Sequence, residues 1–107
     1  MNTERFTPEY FKPRVAKGVD KLDEKNPGWF HDVNPDLLEM DSADACILGL
    51  LYGWYFSGLR ALSVTDGTEF GYNIDFEESD CDEVRSEAWH TLLVLWLDVI
   101  DEKRKAS

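Results

Sequence analysis

Apolar residues recur at helical spacing in three stretches of the chain. Val15, Val19 and Leu22 fall four and three apart, with Lys17, Asp20, Lys21 and Glu24 on the other side, which predicts an amphipathic helix ending by Asn26. Thr7-Pro8 has the form of a cap and first helical residue, but Pro13 removes a backbone donor, so the main helix is expected to start near Pro13. Ala45 to Leu62 is apolar on nearly every side, preceded by Asp41 and Asp44 at capping-box spacing, and predicts a buried central helix over residues 44–62. From about Asp82 to Lys103 the pattern is again amphipathic. Trp89, Leu92, Leu93, Trp96 and Ile100 share one face, and Glu83, Glu87, His90, Val94, Asp98 and Asp101 project from the other.

The connections carry turn chemistry. Asn26-Pro27-Gly28 is the strongest turn signal and delivers Trp29 and Phe30 towards the core. Asn34-Pro35 predicts one short helical turn, residues 36–40, with Leu37 and Met40 inward. Residues 68–76 alternate Phe70, Tyr72, Ile74 and Phe76. A short extended segment fits that alternation, but a lone strand has nothing to pair with, so an ordered loop is expected. Ser79 with Asp82, or Asp80 with Glu83, is placed to cap the last helix. Within the central segment Ser42, Ala45, Cys46, Gly49, Gly53 and Ser57 form a small-residue stripe, and two glycines one turn apart imply close approach of another helix.

These elements predict an all-α fold, a compact single domain over residues 1–107 with three main helices plus short helical turns and with residues 1–12 and 104–107 frayed. At 107 residues with 43% hydrophobic positions the chain can bury one core, which Trp29, Trp89 and Trp96 are expected to anchor.

Charge narrows the partner class. The formal net charge is −11, and residues 26–102 hold seventeen acidic side chains against Arg60 and Arg85 alone, so that segment stands at −15. Such a body repels phosphates, which argues against direct nucleic-acid binding and for a partner with a basic surface. Asp75, Glu77, Glu78, Asp80, Asp82, Glu83 and Glu87, continuing to Asp98 and Asp101 around Val94, are the candidate contact residues. Either they imitate a line of nucleic-acid phosphates or they form a solubilising coat.

Candidate chemistry adds little. No P-loop, dinucleotide, nucleophile-elbow or HExxH motif occurs, and the run from Asp75 to Glu83 lacks the glycine of a calcium loop. Glu87 and His90 form one Glu-x-x-His without the second copy a di-iron bundle uses, and His31-Asp32 has no nucleophile beside it. No enzymatic activity, metal or cofactor is therefore expected. Cys46 and Cys81 fit no CxxC pair and are expected to be reduced. The longest charge-free apolar window, Ala45 to Leu59, is too short for a membrane span, and no secretory pattern opens the chain, so a cytoplasmic location is expected.

Val15, Gly18, Leu22-Asp23-Glu24, Pro27-Gly28-Trp29, Cys46-Ile47-Leu48-Gly49, Leu51-Tyr52-Gly53, Gly58-Leu59, Phe70-Gly71-Tyr72 and Trp89 together resemble a small uncharacterised protein family of actinobacterial phages and prophages. The resemblance implies a phage-associated origin, with the host cytoplasm as the place of action, and carries no activity, ligand or catalytic residue. By analogy with other small acidic phage proteins, the expectation is a non-enzymatic inhibitor that covers a basic surface of a host protein, anti-CRISPR-like or transcription-inhibitor-like. A virion structural or assembly accessory and an antitoxin-like neutraliser are the alternatives.

Overall fold

Thr7 begins the first helix, its hydroxyl oxygen accepting from the Tyr10 N–H at 3.2 Å. In the computed structural model, which describes residues 5–107, α1 spans Pro8–Lys25 and closes with the Asn26 N–H on the Leu22 carbonyl at 2.7 Å. It therefore runs through Pro13 instead of starting there. Pro13 is exposed, and the bond it forgoes is to the carbonyl of exposed Glu9 in the first turn. That turn is held instead by rings, with Phe6 against Tyr10 at 5.4 Å, Phe11 at 6.0 Å and Phe76 at 5.2 Å between centroids. Residues 8–12, expected to fray, are helical, and Phe11 is buried.

The central apolar segment is not one helix. It folds into α2 (Ile47–Tyr52) and α3 (Tyr55–Leu62), separated by Gly53 at φ +86° and Trp54 with extended backbone. A straight helix over residues 44–62 would be about 28 Å long at 1.5 Å per residue. Such a rod, apolar all round, would span the whole 28 Å middle axis of the molecule. Folding back at Gly53 lets α3 pack on α2, with Leu48 against Gly58 in the seam and Leu59 and Leu62 buried. The capping box is unused: Cys46 stands at the N-cap of α2, and its sulfur accepts from the Gly49 N–H at 3.4 Å.

The small-residue stripe also has a different purpose. A Cβ at Gly53 would meet nothing within 4 Å, so this glycine serves the left-handed corner and not a helix crossing. At Gly49 the close neighbour is the backbone of Ala43 and Asp44, while α2 and α3 meet at Gly58, where a Cβ would lie 2.6 Å from that of Leu48.

The last helix, α4 (Asp82–Ala106), lies beside α1. Arg5 and Asp80 pair near the start of both helices, and Asp23 and Lys103 pair near their ends, so the two run in the same direction. Cys81 holds the N-cap of α4 without a side-chain bond, and neither of the expected caps forms. Instead Arg85 reaches back to the carbonyls of Asp80 and Glu77 at 3.0 and 2.8 Å, and Asp80 is engaged by Arg5. At the other end Arg104 donates to the Phe30 and Val33 carbonyls, which ties residues 29–33 to the helix through its last turns.

The core forms where α1, α4 and the connecting turns converge. Trp29 and Trp96, both fully buried, meet edge to face at 5.9 Å, and Tyr72 stacks on Trp96 at 5.8 Å. Their polar ends are satisfied: Trp96 donates to the Gly71 carbonyl at 2.7 Å, Trp29 to Asp23 at 3.0 Å, and Tyr72 to the Gly18 carbonyl at 2.7 Å. Trp89 is half-buried and packs against Phe76.

Residues 67–70 are a 3-10 turn rather than the start of a strand, and the rest of 68–76 is irregular, with Tyr72 and Ile74 buried. No strand occurs among the described residues. Asn34 caps the Pro35–Leu37 turn as expected, accepting from the Asp36 N–H at 3.0 Å. Leu37, however, points outward at 58% exposure, and Leu38 takes its place beside Met40 in the core. The fold is thus mostly helical and compact. Its Cα radius of gyration of 13.3 Å agrees with about 13 Å for a single globule of this length.

Candidate functional site

α4 presents the acidic stripe because its buried line fixes the opposite face. Ala88, Leu92, Trp96 and Ile100 point into the core. On the far side Glu83, Glu87, His90, Val94, Asp98 and Asp101 are all exposed. Val94, at 39% exposure, is the one apolar side chain of that set. Asp101 pairs with Lys105 one turn on, at 3.1 Å between exposed groups, which offsets part of its charge while adding little stability. Asp82 and Glu83 occupy the first turn, where the helix dipole favours acids.

The loop before α4 divides the remaining candidates. Asp75, Glu77 and Glu78 are exposed. Asp80 is not available as a contact: its side chain is 7% exposed and takes two hydrogen bonds from the Arg5 guanidinium, at 2.9 and 2.7 Å, and one from the Glu77 N–H at 2.8 Å. Those bonds, with Arg5 the larger influence, hold its carboxyl down at about 2. Arg5 in turn is pushed up by Asp80. Sequence spacing placed Asp80 in the stripe because the residue that neutralises it lies 75 positions away.

Other titratable groups are structural. Burial raises the Cys46 thiol, which suits a cap and not a nucleophile. Burial likewise raises the Tyr72 and Tyr55 hydroxyls, and Tyr55 accepts from Asn73 at 3.3 Å. Asp66 is lowered by hydrogen bonds from the Thr68 hydroxyl and N–H, which close the 67–70 turn. His31 and His90 are exposed, and Cys81 is exposed and free. Among the described residues no three His, Cys, Asp or Glu side chains converge on a metal position, and no helix is long and apolar enough to cross a membrane.

The structure shows a second surface. At the α2–α3 corner Trp54 and Phe56 are 47% and 54% exposed, with ring centroids 5.9 Å apart. Beside them two adjoining hollows of about 230 and 240 Å³ share Met40, Asp41 and Trp89 as walls. The first is completed by Ser42, Ala43, Cys46, Tyr55, Phe56, Tyr72 and Asn73, the second by Glu39 and the Ser86, His90 and Leu93 positions of α4. The sequence signal for this corner is Gly53, whose left-handed backbone reverses the chain just before Trp54 and Phe56.

The chain matches no known family, no curated protein and no solved structure.

Proposed function

We propose that the chain is a non-enzymatic, phage-type interaction protein that covers a basic surface of a host protein through the outer face of α4. The observation that carries this reading is the exposed series Glu83, Glu87, Val94, Asp98 and Asp101, acids at both ends of one apolar residue. Charge of that arrangement steers a basic partner, and a central apolar side chain supplies an anchor that excludes water.

The spacing favours a protein surface over a continuous imitation of phosphates. Residues 83 to 101 rise about 27 Å along the helix. One DNA strand carries about eight charges over that length, at one per roughly 3.4 Å. The α4 face offers four acids, with ten positions between Glu87 and Asp98 that hold none. Two basic patches flanking an apolar site meet this pattern better than a nucleic-acid groove does. An inhibitor of a defence nuclease or of the transcription machinery fits where its target's basic surface is interrupted in this way.

Affinity capture from host lysate tests the reading, using the native chain and a variant carrying Glu83→Gln, Glu87→Gln, Asp98→Asn and Asp101→Asn. A specific partner retained at about 0.05 M salt, released at 0.5 M and not captured by the variant supports it, since Debye screening shortens from roughly 14 to 4 Å over that range. Equal capture by both proteins at both salts removes the α4 face from the interaction.

A further inference from the structure

We propose that the paired hollows between the α2–α3 corner and α4 bind an arginine-bearing apolar segment of a partner protein. Their walls are the argument. Phe56 and Trp89 contribute aromatic walls, Met40 and Leu93 an apolar lining, and Glu39 and Asp41, both exposed, two carboxylates. A guanidinium is the cation that uses all three, because it stacks flat on a ring, is weakly hydrated and meets a carboxylate through two parallel donors.

The chain's own cations show which rings remain for this purpose. Arg5, Arg14, Lys17, Arg85 and Lys103 sit over Phe6, Tyr10, Phe70, Phe76 and Phe30, at 4.3 to 5.8 Å from the centroids. Among the described residues no Lys or Arg lines either hollow, and neither Phe56 nor Trp89 has such a cation above it. Arg60, one turn beyond Phe56, does not line them. Exposing Trp54 and Phe56 side by side has no folding benefit, whereas partial burial of large rings at a rim of like-signed charge is the composition of an interface centre.

This inference rests on the reading that the partner is basic, but the hollows meet the α4 stripe only at His90 and include none of its four carboxylates, so the two fail separately. The probe is a blocked Arg-Leu-Arg tripeptide titrated into the 15N-labelled chain, with the citrulline analogue, equal in shape and uncharged, as its control. Saturable shifts are expected at the Trp89 indole N–H, at residues 40–43 and at Ser86, His90 and Leu93. Asp41→Asn and Phe56→Ala, both at exposed positions, should each weaken them roughly three- to thirty-fold. The quadruple α4 variant should bind the tripeptide as the native chain does. Shifts that never saturate, that follow Glu83, Glu87, Asp98 and Asp101 instead, or that are equal for citrulline overturn the proposal. So does concentration-dependent self-association that covers the same residues, which would make a second copy the occupant.

Discussion

Trp96 is the side chain on which most of the core converges. It contacts Trp29 and Tyr72 and donates to Gly71 from a fully buried position. Trp96→Ala should cost about 3–5 kcal/mol in urea unfolding, enough to leave so small a domain largely unfolded. Trp96→Phe keeps most of the ring but orphans the Gly71 carbonyl, and a loss of about 1–3 kcal/mol is expected, with the fold retained. Asp80 gives a prediction of pH dependence. Its carboxyl titrates at about 2 in the fold against an ordinary 3.8, so the unfolded chain binds the proton more readily. The stabilisation is complete above about pH 4 and fades as the pH falls towards 2. The thermal midpoint of the native chain should therefore drop more steeply across that window than that of Asp80→Asn, and parallel curves would show that the Arg5 contact contributes nothing. Of these two residues, the burial of Trp96 was legible in the sequence from its place on the apolar face of α4. The pairing of Asp80 was not, since an ion pair between residues 5 and 80 leaves no local pattern.

The α2–α3 corner separates two roles that glycine plays in one stretch of chain. Gly53 sits at φ +86° with open space around its Cα, so Gly53→Ala should cost about 1–2 kcal/mol through backbone strain alone, and Gly53→Asn less. Gly58→Ala adds a Cβ 2.6 Å from that of Leu48, and the seam must part, for about 1–3 kcal/mol. Equal effects of Asn and Ala at position 53 would show that the left-handed geometry is not what the site requires. Periodicity located the helical residues here but not the break, because a segment apolar on every side looks the same whether it is one buried rod or two short helices folded together. At Pro13 the helix continues where the sequence pattern predicts a start. A proline in an exposed early turn removes one bond at the surface, and the ring cluster around Phe6 outweighs it.

Across the whole molecule the charge is not evenly felt. Arg5, Arg85, Lys103 and Arg104 are used to fasten loops and helix ends, so that among the described residues Lys105, paired with Asp101, and Lys12, which lines one hollow with Asp98, are the cations beside the outer face of α4. Neutralising Glu83, Glu87, Asp98 and Asp101 relieves like-charge repulsion but gives up the favourable first-turn position of Glu83 and the Asp101–Lys105 pair, so only a small change in melting temperature is expected at low salt, vanishing near 0.5 M. A marked loss of stability would mean that these acids hold the helix in place. The sequence by itself determined the helical class, the two flanking amphipathic helices, the tryptophan core and the acidic outer stripe, because each depends on spacing within one element. Only the tertiary structure decided that α1 and α4 lie parallel, that the central segment folds at Gly53, that Asp80 is withdrawn from the stripe, and that an aromatic, acid-rimmed groove opens beside Trp89. Each of those brings together residues far apart in the chain, and such contacts are set by how whole faces pack, which no local periodicity encodes.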